Sequence, residues 1–355
     1  MIQKLKKNIS NILSICLIFL ILVLTEFVYK DSFIFPYMVF VLFWCVLCLI
    51  KNFEDVLSIS LVLLIPEVIT IETLPISVTV IVVLGTCISA IKQYLFEKKS
   101  IKKTLESNKT FLFLSILIIL CGLINFDIKG IKYVFSLALF LAFIRFVLSQ
   151  KLNIEKLKLY YVLGLLSIIA ISVVLLNFNI IENRLVFQGS RLMSFCSNPN
   201  QLQIMCIIAM TLSFELLNKK IFCLLEFAVI YLFLLIIGFF TLSKAFFLCS
   251  TVLTLYIFIR LLLKIKKYKF LYVGMFSTVI ALLGLVFKNN LSLLLKRFSN
   301  KYYDNIFDTL LTGRFSIWKV YLNEYASNIF NILFGCGLSA EEMVKIGRAS
   351  CRERV

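Results

Sequence analysis

Long apolar runs separated by short polar connections fill most of this chain. A helix needs roughly 20 apolar residues to cross the hydrocarbon core of a bilayer, and eleven runs approach that length. They lie at Ile9–Tyr29, Phe33–Ile50, Val56–Ile71, Pro75–Leu95, Phe111–Asn125, Ile131–Ser149, Leu159–Phe178, Gln201–Leu217, Ile221–Phe240, Ala245–Leu263 and Phe270–Phe287. Their apolar residues cover all faces instead of one stripe, as in helices solvated by lipid. The third run is the weakest, because Pro66 and Glu67 interrupt it. It either stops at Ile65 or re-enters as a bent segment. The expected fold is all-α, a multi-pass membrane bundle over residues 1–287. Beyond Phe287 the pattern becomes mixed. LSLLLKRF and FSIWKVYLNEYASNIF carry apolar residues at helical spacing within more polar surroundings, which predicts a long extracytoplasmic loop domain over residues 288–345.

The charges between the runs set a direction. Connections on one side hold twenty-one basic residues, whereas those on the other hold only Lys30, Lys129, Lys132, Arg184, Arg191 and Lys244. Basic residues are retained on the cytoplasmic side, so the N-terminus is expected inside. The stretch between residues 179 and 200, and everything after Phe287, are then expected outside. The basic start Met1–Lys7, followed by a spanning run with no small-residue cleavage site, reads as a signal anchor.

Composition narrows the class without changing it. The chain is 61% hydrophobic and 16% charged, and its net charge is +18. Its mean hydropathy of +1.00 is too high for a soluble protein of 355 residues. The surplus positive charge sits between apolar runs, so it marks cytoplasmic loops and not a nucleic-acid surface. There is no histidine, which removes the commonest general base and metal ligand. Most cysteines lie inside apolar runs, and the C-x-x-C of Cys45 and Cys48 reads as packing on a helix. Cys196 and Cys336 both fall in outer segments, with no spacing that would pair them.

The last ten residues, Ile346–Val355, stand apart. IGRASCRERV can be written ATC GGA AGA GCG TCG TGT AGG GAA AGA GTG, which resembles one frame of a short-read sequencing adapter. Three of the nine arginines fall in this stretch of an otherwise Lys-, Ile-, Asn- and Phe-rich chain. The expectation is that the natural protein continues beyond about Lys345.

The candidate chemistry lies in the outer segments. Lysine outnumbers arginine 28 to 9, yet Arg184, Arg191, Arg297 and Arg314 all fall on the predicted outer side. A topology charge can be lysine as easily as arginine. What a guanidinium adds is a planar fork that grips phosphate or carboxylate with two hydrogen bonds. Arg191 follows Gly189-Ser190 and precedes Asn198-Pro199-Asn200. Asn200 is expected to cap a helix starting at Gln201, and a helix N-terminus beside an arginine suits a phosphate. Thr241–Lys244 predicts a short outer turn carrying a second cation. Gly313-Arg314 opens a further helix containing Trp318, and Phe334-Gly335-Cys336-Gly337 forms a flexible turn. Glu215 and Glu226, near the predicted inner ends, are expected to snorkel to the interface. No paired carboxylates mark a general base.

Taken together, these pieces resemble the O-antigen ligase and O-antigen polymerase superfamily of bacterial membrane glycosyltransferases. The resemblance rests on Arg191 with Asn198-Pro199-Asn200 before a membrane helix, Thr241–Lys244 between helices, and Gly313-Arg314 with Ile317-Trp318 in a long outer loop. Members commonly carry an arginine where this chain has Lys244. The resemblance implies transfer or polymerisation of glycan repeat units from a polyprenyl diphosphate carrier, at the outer face of the cytoplasmic membrane. The products would be surface polysaccharides such as capsule, exopolysaccharide or O-antigen. Arg191 and Arg314 would be catalytic, and Arg184, Lys244, Asn198 and Asn200 would bind the diphosphate. No nucleotide sugar, cofactor or essential metal is implied. The implied partners are the lipid-linked glycan, membrane lipid, a flippase and a chain-length regulator. The alternative is a transporter or flippase for the same lipid-linked oligosaccharide, which would favour two related halves and charges within the spans.

Overall fold

The computed structural model is mostly helical and describes residues 34–65, 78–97, 152–179, 186–196 and 198–264, with residues 14–18 and scattered helical positions elsewhere. The chain divides into two compact units. Met1–Glu97 with Asn153–Lys296 forms one, and Lys98–Leu152 with Arg297–Val355 forms the other. In the second unit the described residues are isolated helical positions such as Trp318 and Lys319. All elements named below belong to the first unit.

Seven helices and one ribbon are described there. They are α1 (Ile34–Ile50), α2 (Phe53–Leu63), α3 (Val78–Glu97), α4 (Ile154–Asn177), β1 (Phe187–Gln188), β2 (Arg191–Leu192), α5 (Pro199–Asn218), α6 (Leu224–Phe240) and α7 (Lys244–Lys264). Each helix coincides with an expected run, but the ends move for local reasons. α4 begins five residues before the apolar stretch at Leu159, because the Asn153 side chain accepts the Lys156 backbone N–H at 3.0 Å and caps it. α2 is short. Its C-cap Leu64 donates back to the Ser60 carbonyl and Ile65 to the Val62 carbonyl, and Pro66 disfavours helical geometry at Ile65. At 1.5 Å per residue α2 spans roughly 16 Å, about half a hydrocarbon core. The runs Ile9–Tyr29, Phe111–Asn125, Ile131–Ser149 and Phe270–Phe287 lie largely outside the described residues, as do Pro66–Ile71 and the tail 346–355.

Among the described residues, three helices are long and apolar enough to cross a membrane. They are Ile154–Asn177, Pro199–Asn218 and Lys244–Leu263, with mean hydropathies of 2.6, 1.3 and 2.2. Shorter apolar helices lie at Met38–Ile50, Val80–Gln93 and Leu224–Phe240. On α7 the residues Leu248, Val252, Leu255, Ile259 and Leu263 form one exposed apolar stripe. Such a stripe suits acyl chains and is foreign to water.

Helices pack as α1, α2 and α3 together, α2 against α4, α4 against α5, and α5 with α6 and α7. Small residues allow the close approaches. A Cβ on Gly164 of α4 would lie 2.4 Å from Val62 of α2, and one on Gly238 of α6 would lie 1.9 Å from the Phe246 ring of α7. Phe246 is 1% exposed and meets Phe239 edge-on at 5.8 Å. These contacts lock the α6–α7 hairpin.

The ends of this bundle differ in charge. At one end the Lys92 ammonium reaches the carbonyls of Leu49 and Lys51, joining the ends of α1 and α3. Lys156 at the start of α4 pairs with Glu54, at 2.9 Å, and with buried Asp55 at the start of α2. Lys158 pairs with Glu215 near the end of α5. Glu226, one of the two acids expected to snorkel, instead closes the start of α6 in a capping box with Cys223. Every described Asp and Glu of this unit lies at that end. The opposite end, roughly 25–30 Å away by helical rise, holds the start of α5, the end of α6 and the start of α7.

Candidate functional site

The end that holds the starts of α5 and α7 is organised by Arg191. Phe187–Gln188 and Arg191–Leu192 pair as a two-stranded antiparallel ribbon, with Phe187 opposite Leu192 and Gln188 opposite Arg191. This short ribbon sits within a mostly helical chain, which fits the all-α expectation. The two-residue loop Gly189-Ser190 makes the ribbon, because Gly189 takes φ +62°, the left-handed first position of a type II′ hairpin turn. The ribbon turns Arg191 toward the helix ends, and the side chain is half-buried.

Arg191 makes two hydrogen bonds there. Its Nε donates to the Thr241 carbonyl at 2.9 Å, and a terminal guanidinium nitrogen donates to Asn200 Oδ1 at 2.9 Å. These bonds account for two of the five guanidinium N–H donors. Thr241 is the C-cap of α6, and its carbonyl is among those a helix leaves without an intrahelical donor. Asn200 stands in the first turn of α5. One side chain thus ties the last turn of α6 to the first turn of α5. Three segments singled out in the sequence, Arg191, Asn198-Pro199-Asn200 and Thr241–Lys244, meet at this point.

The capping expectation needs correction. Asn200 does not cap a helix beginning at Gln201. The helix begins at Pro199, and Asn198 is its N-cap, with extended backbone (φ −159°, ψ 159°) and Oδ1 accepting the Gln201 backbone N–H at 3.0 Å. Proline at the first helical position, where no N–H is required, moves the start two residues earlier. Asn200 is thereby released from capping and serves as the acceptor for Arg191.

The surrounding backbone is strained. Ser194 and Phe195 have φ of 45° and 64°, and Leu242 has φ of 48°. A left-handed conformation costs a non-glycine residue roughly 1–2 kcal/mol. All three residues lie in the two segments that Arg191 joins. Burial holds them: Ser194, Phe195 and Leu242 are each at most 4% exposed. Ser194 also shares a 2.7 Å hydroxyl hydrogen bond with buried Ser172 of α4. In the α6–α7 turn, the Thr241 hydroxyl donates to the Gly238 carbonyl at 2.6 Å, and the Ser243 carbonyl accepts the Phe247 N–H at 3.1 Å.

Lys244 is the first residue of α7 and is half-buried. A cation in the first turn meets the positive end of the helix dipole, at a cost of about 0.3–1 kcal/mol. Neither α5 nor α7 has an acidic residue in its first turn. Two helix N-termini, each equivalent to roughly +0.5 charge, therefore converge with Arg191 and Lys244. Such an arrangement can bind an anion and stabilise negative charge developing on it. Glu67, Glu72 and Glu182, acids on or near the same predicted outer side, lie outside the described residues.

The remaining sequence candidates, Arg184 and Arg314, lie outside the described residues, as does Cys336. Cys196 is buried and carries a free thiol. The Thr241 carbonyl, a backbone acceptor, carries no residue signature that would mark it in the sequence as a partner of Arg191. Gln203, a buried amide on α5, is easily taken in the sequence for an ordinary polar residue within an apolar run. No family model, no curated protein and no solved structure matches this chain.

Proposed function

We propose that this chain is a membrane glycosyltransferase that joins glycan units carried on polyprenyl diphosphate. The reading rests chiefly on the cationic end of the bundle, where Arg191 and Lys244 lie beside the N-termini of α5 and α7 and Arg191 is held by Asn200 and the Thr241 carbonyl. The resemblance of these segments to the O-antigen ligase and polymerase superfamily points the same way. The placement is the cytoplasmic membrane, with this end facing outward by the positive-inside rule.

In the proposed reaction an acceptor hydroxyl oxygen attacks the anomeric carbon of the donor glycan. The carbon–oxygen bond to the diphosphate breaks, and polyprenyl diphosphate leaves with the electron pair. The hydroxyl proton passes to a base. Arg191 and Lys244 would hold the diphosphate and stabilise the charge it gains on leaving. Asn200 and the Thr241 carbonyl would fix the guanidinium in place, and Asn198, as the N-cap, would hold the first turn of α5 in position. Arg184 and Arg314, which the resemblance implies as further cations for the reaction, lie outside the described residues. The carrier's polyprenyl tail would lie along exposed apolar helix surface of the kind α7 presents.

The test is a strain lacking the gene. It should accumulate single lipid-linked repeat units on the outer leaflet and lose long polymer. Repeat units trapped on the inner leaflet would instead support the transporter reading and sink this one.

A further inference from the structure

Gln203 lies one turn inside the N-terminus of α5. It is 6% exposed, and its Oε1 has no hydrogen-bond partner among the described residues. A buried amide oxygen without a donor costs about 1–3 kcal/mol, so an apolar residue of similar volume would serve packing better. Helical geometry places residues 200 and 203 on the same face, and helical side chains lean toward the N-terminus over the preceding turn. The Gln203 amide therefore leans toward Asn200, the residue that holds Arg191.

The loop before α5 folds back along this turn, since the Cys196 thiol contacts the Met205 sulfur at 4.0 Å. That loop carries the left-handed pair Ser194 and Phe195. Backbone strain released on loop movement would offset part of the cost of uncovering the amide.

We propose that Gln203 is a specificity residue that accepts a hydrogen bond from the sugar next to the diphosphate. An unpartnered amide oxygen requires a donor. Phosphate oxygens offer none when ionised, whereas the carbon beside the phosphorylated one in a glycosyl diphosphate carries a hydroxyl or an acetamido N–H. Arg191 then recognises the charge and Gln203 the sugar. This inference rests on the diphosphate-lipid reading above.

The experiment uses the full chain purified in detergent, with two probes: undecaprenyl diphosphate, and the same lipid bearing one N-acetylglucosamine. The wild type should bind the glycosylated lipid about tenfold more tightly, the order of one hydrogen bond. Gln203→Leu and Gln203→Met should abolish that preference while leaving affinity for the bare lipid unchanged. Both variants remove an unsatisfied polar group, so they should fold at least as well as wild type. Arg191→Lys should weaken both lipids and keep the preference. A Gln203→Leu protein that retains the tenfold preference overturns the assignment of Gln203 alone. A wild type that binds both lipids equally also overturns it. A wild type that binds neither overturns the diphosphate reading together with it.

Discussion

Replacing Arg191 with alanine removes both hydrogen bonds that tie α6 to α5. The Thr241 carbonyl belongs to a residue with 0% exposure, so water cannot readily take the place of the guanidinium. An orphaned buried acceptor costs about 1–3 kcal/mol. Asn200 is half-buried and is partly rehydrated, which adds about 1 kcal/mol. The left-handed residues Ser194 and Leu242 also lose a support. Together these predict a loss of about 3 kcal/mol, or a fall of roughly 6–12 °C in the melting temperature of the detergent-solubilised protein. Arg191→Lys retains the charge, but a compact ammonium does not reproduce the planar guanidinium fork that spans the Thr241 carbonyl and Asn200. It should lose about half as much stability. The assay is thermal unfolding of both variants alongside Asn200→Ala and the Arg191→Ala/Asn200→Ala double variant. The cycle should return a coupling of about 1–2 kcal/mol for the pair. A melting temperature of Arg191→Ala within about 2 °C of wild type, or a coupling near zero, would refute the clamp.

Other perturbations probe the parts that position this clamp. Asn198→Ala should cost about 1 kcal/mol by removing the cap of α5, and Asn198→Asp should restore it; equal melting temperatures for both would contradict the cap assignment. Gly238→Ala pushes a methyl against the Phe246 ring and should destabilise the α6–α7 hairpin by about 1–3 kcal/mol, read as faster proteolysis at the turn. At the far end, Asp55→Ala leaves Lys156 with Glu54 alone and should cost about 3 kcal/mol in thermal unfolding; no change would mean that the pair is solvated.

The helices were legible in the sequence because lipid demands long apolar runs and tolerates little else. Their ends were less so, since polar residues decide them: Asn153 starts α4 ahead of its apolar stretch, and Pro199 starts α5 ahead of Gln201. The site was legible as separate motifs. Only that Arg191, Asn198-Pro199-Asn200 and Thr241–Lys244 share one side was implied by the alternation of helix directions. The bonds between them were not, because Thr241 contributes a backbone carbonyl and Asn200 competes with Asn198 for the capping role. The ribbon had a readable signal in Gly189-Ser190, but two residues per strand is too short for hydrophobic alternation to show. Gln203 carried no signal, since one amide in an apolar run shows its importance only when its lack of a partner is seen.

Reconstitution in liposomes with a defined lipid-linked oligosaccharide tests the proposed chemistry most directly. The wild type should convert single units into longer glycan and release polyprenyl diphosphate in step, and Arg191→Lys at equal protein level should do neither. Transfer of the lipid-linked oligosaccharide between leaflets with no joined product and no released carrier would contradict the glycosyltransferase and leave a transporter in its place.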